Sequence, residues 1–209
     1  MTKILIINSS ALGEASVSSK LTREMADRLK AADPSVRIAV RDIGAEPVPH
    51  LTAHTVSAIR GKAETDAARA TLALSDELVG EVRDADVLVI GSPMYNFGMS
   101  STLKTWFDHV LRAGVTFRYT DKGVSEGLMT GKKAVVVETR AGLYSEGASA
   151  GLDSQEPHLR TLLGFIGITD VTFVRAEKLA FGPEAASAAI AEAAGQLGSL
   201  VATELALAA

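Results

Sequence analysis

The chain has 209 residues, 47% of them hydrophobic and 22% charged, a length and balance suited to one domain, 1–209, around a single well-buried core. A formal net charge of -4, with no local run of basic residues, leaves no electrostatic footprint for nucleic acid. The absence of cysteine excludes disulfides, thiolate metal sites and cysteine nucleophiles, including those of the cysteine-dependent phosphatases.

The first predicted element is a strand over Lys3 to Asn8. Its apolar run is too short for a signal-peptide core or a membrane span, so a cytoplasmic protein with no membrane attachment is expected. A serine-rich loop, 9–19, follows the strand. A helix comes next over 19–31, with Leu21, Met25 and Leu29 at four-residue spacing and Ser18 or Ser19 available as its N-cap. Hydroxyls of Ser10, Ser16 and Ser18 and the free amides of the helix start converge where the macrodipole favours an anion. Without a G-x-x-x-x-G-K-[ST] pattern or a G-x-G-x-x-G fingerprint, a triphosphate or a tightly held dinucleotide does not fit this turn. A monophosphate held by neutral donors fits it, and so does a loop that merely caps its helix.

A second strand is predicted over 36–42, an irregular stretch with Gly44, Pro47 and Pro49 over 43–62, a helix over 64–83, and a third strand over 86–91. His50 and His54 have the spacing of helical metal ligands, but the prolines and the absence of Glu at 51 leave them as loop histidines. Pro93, Met94, Tyr95, Asn96 and Phe97 then lead into a helix over 101–113. A loop at the carboxyl end of a buried strand is where α/β proteins bind ligands. Two aromatics, an amide and rigid backbone suit a planar heteroaromatic ring with a hydrogen-bonding edge, as in a flavin; an ordinary turn with its aromatics in the core is the alternative.

A fourth strand over 133–139 delivers Thr139, Arg140, Ala141 and Gly142 to the same edge. Small residues there let a flat ligand approach the backbone, and the Arg140 charge would favour the anionic reduced form of a flavin if it faced the ring's pyrimidine end. Pairing of a surface Arg140 with Glu146 is the alternative. The stretch 147–151 matches the G-x-S-x-G of serine hydrolases, but Ser149 lies some ten residues past the strand, where no strand-to-helix elbow can form. A helix over 155–165, a strand over 170–177 and a helix over 183–205 complete the chain. Five strands alternating with five helices predict a doubly wound parallel sheet in the order 2-1-3-4-5 with helices on both faces. That order places the serine loop and the 93–97 loop across one crevice.

Ser9-Ser10 with Ser16-x-Ser18, the run 93–97, and the blocks 112–120, 127–133 and 163–170 together resemble the FMN-dependent NADH-azoreductase and quinone-reductase family over almost the whole chain. The resemblance implies a flavodoxin-like homodimer with one FMN per subunit and NADH as co-substrate. It also implies sites at the dimer interface and a ping-pong, two-electron hydride transfer through FMN N5 to quinones or azo compounds. Carried over by position, Ser10, Ser16, Val17 and Ser18 would hold the phosphate, 93–97 the flavin ring, and 139–142 its edge. No protein group would act as a catalytic nucleophile, and no metal is expected. The expected substrate pocket comprises Phe117, Tyr119, Tyr144 and Phe165, with 117–119 reaching the partner's flavin or, alternatively, packing on its own subunit. Val17 stands where the family often has glutamine, and Thr139-Arg140-Ala141-Gly142 varies a more usual Ser-Arg-Gly-Gly. A flavodoxin-type one-electron carrier is the rival reading.

Overall fold

A computed structural model describes residues 1–202. Its central parallel sheet contains β1 (Lys3–Asn8), β2 (Arg37–Asp42), β3 (Val87–Pro93), β6 (Lys133–Thr139) and β7 (Asp170–Ala176), in the order β2-β1-β3-β6-β7. The expected order 2-1-3-4-5 counted the sheet strands alone. A separate antiparallel hairpin, β4 (Phe117–Tyr119) with β5 (Ser125–Gly127), adds two strands between the third and fourth of them.

Period-two alternation in the strands builds two cores. Leu5, Ile7, Leu88, Ile90 and Val136 face one side, where α2 (Asp66–Asp84), α3 (Ser101–Val110) and α4 (Gln155–Phe165) contribute Leu78, Trp106 and Leu163. Ile4, Ile6, Val87, Val89 and Val137 face the other, covered by α1 (Val17–Ala32) and α5 (Pro183–Leu200) through Met25, Ala193 and Leu197. Among the described residues no helix is long and apolar enough to cross a membrane. The helix expected over 183–205 extends past this range, and 203–205 lie outside the described residues.

Several boundaries shift for local reasons. Helix α1 begins at Val17 because Ser16, not Ser18 or Ser19, is its cap: the Ser16 hydroxyl accepts the Ser19 N–H at 3.1 Å. Strand β3 runs on to Pro93 because β6 is long enough to pair with it, Ser92 opposite Glu138 and Pro93 opposite Thr139. Proline is tolerated there since β1 ends opposite Gly91 and needs no donor from residue 93. Helix α3 stops at Val110 because the Thr116 hydroxyl accepts the Arg112 N–H and donates to the Val110 carbonyl, turning the chain toward the hairpin. The hairpin is seated by contact of bare backbone: a Cβ on Gly127 would lie 2.1 Å from the Gly167 nitrogen.

Candidate functional site

At the switch between β1 and β3 the two leading loops do face each other. The Tyr95 hydroxyl accepts the Ala11 N–H at 3.2 Å, joining loops 84 residues apart. Ser9 donates its hydroxyl to the Gly91 carbonyl at 2.8 Å, and Thr102 donates to the Ser9 carbonyl at 2.9 Å, so the crevice floor is braced from β3 and α3. Gly44 supports the loop from below, where a Cβ would stand 2.0 Å from the Ser10 carbonyl oxygen; only glycine allows that approach. The sequence placed Ser9 in the serine motif and Gly44 in an irregular stretch but assigned neither a role in the site; these contacts come from the fold.

Ser10, Ser16 and Ser18 are buried at one helix start. The Ser16 and Ser18 hydroxyls are hydrogen-bonded to each other at 3.1 Å, and Ser10 accepts the Leu12 N–H at 3.3 Å. The amides of Val17 and Ser18, in the first turn of a sixteen-residue helix, have no carbonyl one turn back to bond to. Neutral hydroxyls, free amides and a helix dipole form a donor set matched to a phosphate group.

The 93–97 loop is held in an unusual conformation. Asn96 and Phe97 have φ of 48° and 71°, a region that costs little for asparagine and more for a bulky aromatic. A Tyr95–Gly98 bridge and a 3.0 Å bond from the Ser154 N–H to the Phe97 carbonyl maintain it. Met94 donates its N–H to the Thr139 carbonyl at 2.9 Å, so this loop and the β6 edge form one wall. A cavity of about 610 Å³ opens beside it, lined by Ala11, Tyr95, Asn96, Thr102, Ser154 and His158.

Arg140 departs from both readings of its sequence. Its guanidinium is neither at the crevice nor on the surface: the side chain is 0% exposed and surrounded by Glu138 at 2.7 Å, Asp153 at 3.0 Å and Glu177 at 3.2 Å. Nε donates to Gln155 Oε1, and the Gln155 amide donates to the Ser92 carbonyl, tying β6, α4 and β3 together. Thus residues 140–142 offer the crevice backbone, not charge. Glu146 is exposed and plays no part in the cluster. Burial opposes the Arg140 charge, but Glu138, Asp153 and Glu177 together raise its pKa above the ordinary arginine value.

Burial pushes the Glu138 carboxyl up to about 8 in spite of Arg140, with Glu156 and Asp153 adding to the rise. In the folded chain Glu138 therefore keeps its proton up to about pH 8, whereas its ordinary value is 4.5. The folded state binds the extra proton in that window, so stability from this group declines as pH rises through it. Glu156 and Glu177, whose pKa values are lowered against burial by Arg175 and Arg160 and by Ser145, the Tyr144 N–H and Arg140 respectively, act oppositely and only at more acid pH. Glu138→Gln is expected to gain on the unaltered protein in urea unfolding from pH 5 to pH 9, by up to a few kcal/mol at about 1.4 kcal/mol per pKa unit. A difference independent of pH would contradict it.

The four expected pocket residues separate into two groups. Tyr144 meets Phe97 edge-on beside the crevice, with ring centroids 6.0 Å apart and planes at 81°. Phe117, only 8% exposed, packs against Phe165 of its own chain at 4.6 Å, while Tyr119 on the same hairpin is 63% exposed. Ser149 lies in a short 3-10 turn, Gly147–Leu152, not at a strand-to-helix elbow. His50 is hydrogen-bonded to Thr105, and no cluster of metal-ligating residues occurs among the described residues.

The family model of the flavodoxin-like fold matches residues 2–201. An FMN-dependent NADH:quinone oxidoreductase of Hyphomonas neptunium is 50% identical over 203 residues, 97% of each chain. The chain belongs to the FMN-dependent NADH:quinone oxidoreductase family. A second quinone oxidoreductase of that name, from Azotobacter vinelandii, is 50% identical over 94% of this chain and 98% of its own. Among solved structures, an FMN-dependent NADH-azoreductase from Bacillus anthracis in complex with FMN superposes with a TM-score of 0.85 at 26% identity, covering 96% of this chain and all of the other.

Proposed function

We propose that this chain is an FMN-dependent NADH:quinone oxidoreductase with azoreductase activity, working as a cytoplasmic homodimer with its whole length forming one FMN-binding domain. The observation that carries the reading is the meeting of a neutral phosphate cradle and an aromatic turn, joined by the bond between Ala11 and Tyr95. Ser10, Ser16, Val17 and Ser18 would hold the FMN phosphate, Pro93 to Phe97 would frame the ring, and the backbone of Thr139 to Gly142 would border it. The donor set fits: hydroxyls and helix amides for the phosphate, and a rigid backbone held by Thr139 and Ser154 for the ring.

When bound, FMN supplies the redox chemistry, taking two electrons from NADH and passing them to a quinone or azo acceptor. The chain's residues position the ring and shape the space above it. Phe97, 45% exposed, and Tyr144 offer an aromatic border to a flat acceptor. Exposed Tyr119 and Val124 on the hairpin are apolar surface suited to burial against a second copy, with Tyr119 placed to border the partner's site and Phe117 and Phe165 supporting it from beneath. Dependence on NADH suits the cytoplasm, where that nucleotide is maintained.

A single space used in turn by NADH and acceptor gives a ping-pong cycle. Initial rates with NADH and 1,4-benzoquinone varied together should give parallel double-reciprocal lines, and sedimentation should give a two-chain species. Intersecting lines would overturn the alternating cycle. A chain that binds FMN but turns over no NADH would favour the one-electron carrier instead.

A further inference from the structure

Tyr144 stands on a segment that packing alone does not fix. Residues 140–142 are held by backbone bonds from Lys178, Leu179 and Ala180, but beyond Gly142 two cavities of about 440 Å³ and 400 Å³ open against Ser145. One carboxylate secures this part of the segment. Glu177 Oε1 accepts the N–H groups of Tyr144 at 2.8 Å and Ser145 at 3.0 Å, while Oε2 accepts the Ser145 hydroxyl. Glu177 itself rests on the fully buried guanidinium of Arg140. The Tyr144 ring folds back over Gly142, where an added Cβ would lie 2.9 Å from it, and presents its edge to Phe97.

We propose that Arg140 and Glu177 are positioning residues that set acceptor selectivity by fixing the Tyr144–Phe97 corner. The proposal rests on the flavoenzyme reading. A two-ring azo compound, longer than a one-ring quinone, would press further along this aromatic border and depend more on the placement of the Tyr144–Phe97 corner. Loosening the corner therefore discriminates between acceptors, which a general loss of structure does not.

The test compares Glu177→Ala with Glu177→Gln, whose amide oxygen still accepts both backbone N–H groups. In Glu177→Ala the KM for azobenzene-4-carboxylate should rise about tenfold, the worth of one or two hydrogen bonds. The KM for 1,4-benzoquinone and the FMN affinity should stay within about twofold, taken as the limit for an unchanged contact. Glu177→Gln should stay near the unaltered protein in all three. In the FMN-free protein, amide exchange at Tyr144 and Ser145 should quicken about tenfold or more in Glu177→Ala and not in Glu177→Gln. Should Glu177→Ala fail to fold, Ser145→Ala, which removes the hydroxyl donated to Glu177 Oε2 from outside the ionic cluster, should give the same split in KM to a smaller extent. Equal changes in both KM values, or none, in the folded variant would overturn the proposal alone. Absence of FMN binding by the unaltered chain would overturn it together with the flavoenzyme reading.

Discussion

Replacing Ser10 and Ser18 together by alanine is expected to weaken FMN binding about 10²- to 10⁴-fold while leaving the fold intact. Each hydrogen bond to a charged phosphate is worth roughly 1.5–3 kcal/mol, and two of them lost at about 1.4 kcal/mol per decade give that range. Folding is spared because neither hydroxyl caps the helix. Ser18 Oγ is bonded to Ser16 Oγ and Ser10 Oγ accepts from Leu12, whereas the cap itself is Ser16, which remains. Flavin fluorescence titration of the apoprotein measures the affinity directly. An unchanged dissociation constant in the double variant would place the phosphate elsewhere.

Arg140→Met is expected to destabilise the protein by about 3–5 kcal/mol, the usual consequence of removing one partner from a buried ionic group. The variant would leave Asp153 and Glu177 without the cation they now share, and Arg175, 3.7 Å from Glu138, cannot reach all of them. Protonated Glu138 softens the loss, since it needs no counter-charge near neutral pH. Urea unfolding at pH 7 measures the change. An arginine that instead faced a cofactor would produce the opposite pattern, with little loss of stability and a marked loss of FMN affinity.

The β1–β3 crevice was legible because period-two strands and the loops at their carboxyl ends are local signals, and a doubly wound sheet brings such loops together by rule. The ionic cluster had one local trace. Glu138 and Arg140, two apart at the end of an apolar strand, share a face, and charges on a buried face imply partners. The partners themselves, Asp153 and Glu177, come from other segments of the chain and could be supplied only by the fold. The left-handed turn at Phe97 was equally hidden, since nothing in the residue type announces a positive φ for an aromatic. For Phe117 the sequence offered packing on its own subunit as an alternative, but the partner Phe165 and the Gly127–Gly167 approach that seats the hairpin come only from the fold.

Anaerobic visible spectroscopy of the purified protein reconstituted with FMN tests the assignment most directly. One FMN should bind per chain with the paired absorption bands of a bound flavin, NADH should bleach them, and 1,4-benzoquinone should restore them. A protein that takes up no FMN, or one whose bound FMN is not bleached by NADH, would contradict it.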